Sequence, residues 1–209
     1  MPSRPLLLRI AVIASILAQL VLGPMAAAPV QAATPPVVDD FETGLPSGLD
    51  GTVAIGFNTF QDPNSTVSIA TTAAPPAPVP GAAANNNVLQ VNVNVVSYAG
   101  LAHAFENAAV NQWVSQDWSA YAGFSFWLYG NNSGTTLFVD VLDNRNPGST
   151  KDDAERYSVD FKDDFSGWKK VEIPFASLHR KESGNGAPSN AALTTGSTPA
   201  ASMASAAAR

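Results

Sequence analysis

The stretch DWSAYAGFSFWLYG, residues 117–130, carries the clearest strand pattern in the chain. Side chains alternate between the two sides of a strand, so Phe124, Phe126 and Leu128 fall on one side of it. The other side carries Trp127 and Tyr129, where a solvent-facing sheet usually has threonine, lysine or glutamate. The stretch therefore predicts a strand with a core-facing side and an aromatic side that is either covered by a second layer or used for binding.

Four further segments alternate apolar and polar residues in the same way. They are VLQVNVNVV (88–96), TTLFVDVLD (135–143), RYSVDF (156–161) and KKVEIPF (169–175). Runs rich in glycine, asparagine, aspartate and proline separate the strands, and no amphipathic helical pattern is found after residue 32. Short strands joined by turns predict an all-β fold, an antiparallel two-sheet β-sandwich or jelly roll.

Composition limits both the size of the fold and the kind of partner. A chain of 209 residues, 45% of them hydrophobic, holds one domain of ordinary size, which we assign to residues 33–188. The net charge of -6, with eleven scattered Lys and Arg residues, argues against nucleic-acid binding, which needs clustered cations. Because Cys is absent, disulfides, zinc–thiolate sites and thiol nucleophiles are excluded.

The first 32 residues have the layout of a secretory signal peptide. Arg4 and Arg9 precede an apolar run at residues 10–22, and small residues follow up to a predicted cleavage after Ala32. The alternative is an uncleaved membrane anchor, but a span needs about 20 apolar residues. No later stretch is apolar enough to cross a bilayer, so the mature chain is predicted to be secreted and free of the membrane.

Aromatic and polar residues on three central strands suggest a saccharide-binding surface. A sugar has flat C–H faces, which aromatic rings cover, and a rim of hydroxyls, which acids, amides and guanidinium groups bind. If the three strands are neighbours in one sheet, a single face carries Trp127, Tyr129, Asp140, Arg156 and Ser158. The alternative is that Trp127 packs beneath a loop while Arg156 and Asp140 form a partly exposed ion pair.

No catalytic residues are predicted. Asp140, Glu155 and Asp160 are available as paired carboxylates for glycoside hydrolysis, but nothing in the sequence distinguishes a catalytic acid among them. The GxSxG, HExxH and P-loop motifs are absent. His103 is interpreted as a core or edge histidine rather than a ligand-binding one. A structural or assembly role on the same scaffold is the alternative to saccharide binding.

Several motifs occur in an order that resembles a known family. They are DDFE (39–42), DWSxYxGFSFWLYG (117–130), DVLDNRNPGST (140–150), AERY (154–157), DDFSGWKKVEIPF (163–175) and RKE-GNGAP (180–188). Over residues 37–188 this order is similar to the galactose-binding-like jelly rolls of the family 11 carbohydrate-binding modules. The resemblance implies a non-catalytic module that binds a β-glucan-like polysaccharide, with a secreted bacterial glycoside hydrolase as its partner domain.

The same resemblance implies a structural calcium ion near the first strand. Asp39, Asp40 and Glu42 are close in sequence, and calcium takes about six to eight oxygen ligands. By resemblance Glu42 is the first expected ligand and Asp40 the second. The alternative is a set of solvated acids at a strand end, because DDFE lacks the spacing of an EF-hand.

Residues 189–209, SNAALTTGSTPAASMASAAAR, depart from the resemblance, which implies a further strand there. They carry no charge before Arg209 and no strand-like alternation. Two interpretations stay open. One is a low-complexity disordered tail. The other is a truncated or frame-shifted gene end, which leaves the domain without its C-terminal strand and exposes a sheet edge.

Overall fold

Antiparallel strands account for nearly all regular structure in the computed structural model, which describes residues 36–143 and 154–181 and the backbone of residues 202–208. The strands are β1 (Ser47–Asp50), β2 (Val53–Gln61), β3 (Thr66–Thr72), β4 (Val88–Asn94), β5 (Ala99–Ala104), β6 (Gly123–Asn131), β7 (Thr136–Asp143), β8 (Glu155–Lys162), β9 (Ser166–Pro174), β10 (His179–Arg180) and β11 (Ser202–Ala208). A 3-10 turn, Phe175–Ser177, follows β9, and the described residues contain no α-helix. The predicted all-β class is confirmed.

The strands form one large sheet and two small ones. The large sheet has the order β1-β2-β5-β11-β7-β8-β10, and the small sheets are β3-β4 and β6-β9. Every pairing between these strands is antiparallel. The large sheet follows the chain order except for β11, which is inserted between β5 and β7, while β3-β4 and β6-β9 pair apart.

The core lies between one face of the large sheet and the β6-β9 sheet. Alternation along each strand buries every second residue of that face. Its buried apolar residues include Ile55, Phe57, Leu101, Val139, Val141 and Tyr157. From the small sheet Val171 and Ile173 are buried, and the ring of Phe126 lies 6.2 Å from the ring of Phe161 on β8. Burial of this apolar surface holds the two layers together.

Trp118, in the loop before β6, extends this core at one end. Its indole stacks on the ring of Phe175, with the centroids 6.0 Å apart, and meets the ring of Phe105 edge-on at 5.8 Å. Phe105 directly follows β5 of the large sheet, whereas Phe175 begins the turn after β9. Trp118 therefore contacts aromatic residues from both layers.

Strand β6 has the sidedness that its sequence predicts. It pairs with β9 over all nine residues, so that Phe124 lies opposite Ile173 and Phe126 opposite Val171. These residues belong to the core, while Trp127 is 40% exposed on the other side of the strand. The aromatic side of β6 is therefore open to solvent at Trp127.

The chain changes layers after β6 instead of closing a hairpin with β7. Asp163, in the loop between β8 and β9, anchors this crossing. Its carboxylate accepts the backbone N–H groups of Asn131, Asn132 and Ser133, and the Ser133 hydroxyl at 2.6 Å. A Cβ atom on Gly130 would lie 2.6 Å from Oδ1 of Asp163, so glycine is required there. These contacts tie the end of β6 to the β8–β9 loop.

Strand β11 lies in the middle of the large sheet, between β5 and β7. Its backbone pairs with both neighbours, so that Ala207 lies opposite Gly100 on one side and Phe138 on the other. This differs from both expectations for residues 189–209, a disordered tail and a missing strand. Low-complexity sequence does not reveal such a strand, because the ladder is made by backbone groups that every one of its residues has.

The predicted signal peptide, residues 1–32, lies outside the described residues, and so does the first part of the predicted tail, residues 189–201. Within the part of the chain that the structure describes, no helix has the length and apolar character needed to cross a bilayer.

Candidate functional site

The five residues of the predicted saccharide surface lie on two different sheets. Trp127 and Tyr129 belong to β6, which pairs with β9, whereas Asp140 belongs to β7 and Arg156 and Ser158 to β8. The premise that their strands are neighbours in one sheet is therefore wrong. The alternating pattern of β6 predicts its two sides but not the strand with which it pairs. That strand is decided by the change of layer after β6, which the contacts of Asp163 hold in place.

The two groups also point to opposite sides of the sandwich. The contact between Phe126 and Phe161 shows which side of β6 and of β8 faces the core. Trp127 alternates with Phe126 and so points outward from the small sheet. Ser158 lies on the side of β8 opposite to Phe161, and Asp140 is its register partner on β7, so both point outward from the large sheet.

The large-sheet group forms a connected cluster that we call the polar surface. It consists of Phe138, Asp140, Arg156, Ser158 and Lys181. The Ser158 hydroxyl donates to Oδ1 of Asp140 at 2.5 Å, and Nζ of Lys181 lies 3.2 Å from Oδ2. The same ammonium lies 3.9 Å from the centre of the Phe138 ring. Asp140 and Ser158 are each 3% exposed, so the acid is held firmly at the base of the cluster, beneath Lys181.

Lys181 is a member of this cluster that sequence reasoning missed. It follows β10, a two-residue strand that pairs with β8, and its own N–H donates to the carbonyl of Arg156 at 2.8 Å. Arg156 is half-buried and lies two residues from Ser158 on the same side of β8. No periodic pattern marks a lysine in a short connecting segment, and only the β8–β10 pairing brings it to Asp140.

Small residues lie beside the polar surface in the centre of the large sheet. In register, Phe60 of β2 lies opposite Gly100 of β5. Gly100 in turn lies opposite position 207 of β11, and the partner of that position on the other side is Phe138 of β7. Ala102 is next to Gly100 on the same side of β5. Phe60 and Phe138 thus lie about three strand spacings apart, roughly 14 Å, with Gly100 and Ala102 of β5 between them. We call this strip of the outer face of the large sheet the trough.

The small-sheet group forms a second cluster that we call the aromatic surface. It consists of Trp127, Tyr129, Trp168, Lys170 and Glu172, which share the outer side of β6 and β9. Tyr129 meets Trp168 edge-on, with the ring centroids 5.3 Å apart, and the indole N–H of Trp168 donates to the carbonyl of Ala77 at 2.7 Å. Nζ of Lys170 lies 3.1 Å from the carboxylate of Glu172.

The predicted calcium ligands, Glu42 and Asp40, accept hydrogen bonds from N–H groups. The two oxygens of Glu42 accept the backbone and side-chain N–H groups of Asn87 at 2.8 and 2.9 Å, and Asp40 accepts the N–H of Glu42 at 3.1 Å. The described residues contain no group of three or more acids, histidines or cysteines placed to hold a metal ion. Calcium takes about six to eight oxygens, so these two carboxylates would supply only part of a ligand set. Calcium stays a prediction from the sequence.

His103 lies in the core, in agreement with its interpretation as a structural histidine. Its ring stacks on Phe57, with the centroids 4.1 Å apart, and its Nε2 atom lies 3.3 Å from the carboxylate of Glu106. The side chain is 5% exposed, so it is not presented to a ligand at the surface.

The acids considered for hydrolysis lie in different surroundings, and Asp140 is bound by Ser158 and Lys181 on the outer side of the large sheet. Glu155 is fully buried and lies 2.9 Å from Nη2 of Arg180, while Asp160 is exposed on the opposite side of β8. Burial and then the Glu155 and Asp143 carboxylates raise the pKa of the Tyr157 phenol to about 12. Glu155 thus belongs to a buried structural network.

Together the antiparallel layers define a β-sandwich of the jelly-roll class, which confirms the predicted architecture. The chain belongs to the family 11 carbohydrate-binding domains, whose family model matches residues 24–203. The family resemblance stated from the motifs is therefore confirmed. These modules are non-catalytic, so the prediction that the chain is not an enzyme is confirmed by its family. No curated protein matches the chain.

Two solved structures from Clostridium thermocellum are similar to this chain. The family 11 carbohydrate-binding module of the cellulosomal cellulase Lic26A-Cel5E aligns with a TM-score of 0.54 and 17% sequence identity, covering 85% of each chain. A family 11 module in complex with a β-1,3-1,4-mixed-linked tetrasaccharide aligns with a TM-score of 0.46 and 17% identity, covering 79% of this chain and 85% of the other. At this identity the first likeness shows the fold.

Proposed function

We propose that this carbohydrate-binding module recognises a β-glucan chain in the trough on the outer face of the large sheet. The observation that carries the proposal is the polar surface, where a buried acid, a hydroxyl, a lysine ammonium and a phenylalanine ring meet, with Arg156 on the same side of β8. The small residues Gly100 and Ala102 leave room for a flat sugar chain, and the hydrogen-bonding groups of the polar surface match the rim of sugar hydroxyls.

Each member of the polar surface has a distinct role in this proposal. Lys181 and Arg156 donate to sugar hydroxyls, since both carry several N–H groups and are less deeply buried than the acid. Asp140 holds Lys181 in place and balances its charge. Ser158 fixes the orientation of Asp140 through the hydroxyl hydrogen bond. The site is thus organised before the ligand arrives, which lowers the entropic cost of binding.

Replacing Arg156 tests the proposal. We expect Arg156→Ala to weaken binding of a β-1,3-1,4-linked tetrasaccharide about tenfold or more, because charge-assisted hydrogen bonds to the sugar are lost. Isothermal titration calorimetry gives the Kd, and thermal melting checks that the variant is folded. Arg156→Lys keeps the charge but loses the planar guanidinium, so an intermediate loss is expected.

Lys169→Ala is the matched control, since it removes an exposed positive charge from β9, on the other sheet. Its Kd should stay within about twofold of that of the unmodified protein. If the folded Arg156→Ala variant binds the tetrasaccharide with an unchanged Kd, the trough is not the binding site. Absence of tetrasaccharide binding by the unmodified protein would remove the trough as a site for a soluble β-glucan chain.

We also propose that the module is secreted and carries a glycoside hydrolase to its substrate. The support is the signal-peptide layout of residues 1–32 and the family to which the chain belongs. Mass spectrometry of the protein from a culture medium should give an N-terminus at Ala33. Detection of the full-length chain only within cells would contradict secretion.

A further inference from the structure

Aromatic side chains are presented to solvent on the side of the sandwich opposite to the trough. Trp127 is 40% exposed, and Tyr129 and Trp168 are half-buried beside it. Outward positions of a sheet usually carry polar residues, because an exposed ring gains nothing from the core. Among the three rings on the outer side of β6 and β9, Trp127 is the most exposed, and packing does not explain its position.

The aromatic surface is held in one arrangement by contacts at its back and side. β6 and β9 pair over nine residues, which gives the rings a firm base. Trp168 is tethered through its indole N–H to the carbonyl of Ala77, and Tyr129 packs edge-on against Trp168. A ligand that lies on these rings would pay little of the entropic cost of ordering them.

Hydrogen-bonding groups surround the most exposed ring. Lys170 is the register partner of Trp127, and Glu172 is the register partner of Ser125. The Lys170 and Glu172 side chains are 49% and 69% exposed, so both can reach a ligand that covers Trp127. Among the outward residues of the two strands from Ser125 to Tyr129 and from Trp168 to Glu172, none is aliphatic. Rings with a polar rim and no aliphatic residues match the C–H faces and hydroxyls of a sugar.

We propose that the aromatic surface is a second saccharide contact, which lies against an insoluble glucan while the trough holds a single chain. The proposal rests on the proposed function, since it assigns a further surface of the same module to the same class of ligand. When a chain that protrudes from the particle occupies the trough, the aromatic surface on the other side of the module meets neighbouring chains at a high effective concentration, and the two contacts together bind more tightly than either alone.

The experiment compares binding of the same variants to an insoluble and to a soluble ligand. Trp127→Ala and the double variant Trp127→Ala/Tyr129→Ala are compared with the unmodified protein in a depletion assay on insoluble β-glucan particles. We expect retention to weaken about fivefold for the single variant and about tenfold or more for the double variant, through the loss of ring contacts. In calorimetry with the β-1,3-1,4-linked tetrasaccharide, their Kd should stay within about twofold of that of the unmodified protein.

Val93→Ala is the control, because Val93 is also an exposed apolar residue, 47% exposed, but belongs to β4, whose two-stranded sheet carries neither surface. It should change neither assay. Unchanged particle retention by the folded Trp127 variants would overturn the inference, and so would an equal loss for the tetrasaccharide, which would place Trp127 in the first site. Capture of a protein by this surface with unchanged glucan retention would also overturn it. If the unmodified protein binds particles but not the tetrasaccharide, the proposed site in the trough is wrong, while the proposed contact at the aromatic surface is supported.

Discussion

Asp163 shows how one carboxylate determines the path of the chain. Burial alone would raise the pKa of Asp163, but the hydrogen bonds from the Ser133 hydroxyl and from the N–H groups of residues 131–133 prevail and lower it. The carboxyl of the unfolded chain titrates near its ordinary pKa of about 3.9. The folded pKa lies below that value, so the contribution to stability is complete above the unfolded pKa and is lost as the pH falls through the folded pKa.

The variant Asp163→Asn tests this role. We expect the free energy of unfolding to fall by about 1–2 kcal/mol at pH 7, because an amide accepts at one atom only and its NH2 group would face the N–H donors. Urea unfolding at pH 7 and pH 3 should show a smaller difference between the two proteins at pH 3. The exposed neighbour gives the control, Asp164→Asn, which should change little at either pH. A penalty that is the same at both pH values would contradict the carboxylate argument.

Among individual residues, the sequence predicted orientation better than contact. Phe124 and Phe126 face the core, and Trp127 faces solvent, as alternation requires. Lys181 was not predicted, because its position depends on the β8–β10 pairing and not on any local pattern. Glu155 was available as a candidate acid in the sequence, but in the structure it is a buried partner of Arg180.

At the scale of elements, the loop before β4 is attached to the first segment of the domain through Glu42. Both carboxylate oxygens of Glu42 accept N–H groups of Asn87, at the end of the proline-rich loop between β3 and β4. The contact joins positions 45 residues apart in the chain. It therefore restrains a loop that proline keeps from forming a strand.

Two variants of Glu42 separate hydrogen bonding from charge. We expect Glu42→Ala to lower the Tm by about 2–4 °C, since both hydrogen bonds to Asn87 are lost. Glu42→Gln should melt close to the unmodified protein, because its amide can pair with the amide of Asn87. Differential scanning calorimetry measures both, and an Ala variant with an unchanged Tm would contradict the restraint.

The same variants test the calcium prediction. A calcium-dependent rise in Tm that occurs in the unmodified protein and is absent in Glu42→Gln would support Glu42 as a ligand, since the cation needs the carboxylate charge. A Tm that calcium leaves unchanged in both proteins would remove the calcium prediction and leave Glu42 as a partner of Asn87.

At the scale of the whole molecule, the chain has a net charge of -6 but the proposed sugar ligand is neutral. Long-range attraction between charges therefore contributes little to recognition. Hydrogen bonds and ring contacts act only at close approach, and salt screens mainly longer-range attraction between charges. We expect the Kd for the tetrasaccharide to change less than about threefold between roughly 0.05 and 0.5 M salt. Titration calorimetry across this range measures it. A steep weakening with salt would indicate an anionic ligand instead.

The sequence by itself determined the all-β class, the family and the two sides of β6, because alternation and motif order are local properties written along the chain. Only the tertiary structure decided which strands are neighbours. It placed Trp127 and Asp140 on opposite faces, and it paired Ser202–Ala208 between β5 and β7. The physical reason is that pairing between distant strands depends on turns, crossings and backbone hydrogen bonds. These are contributed by residues such as Asp163, which lies far along the chain from the strand end that it holds.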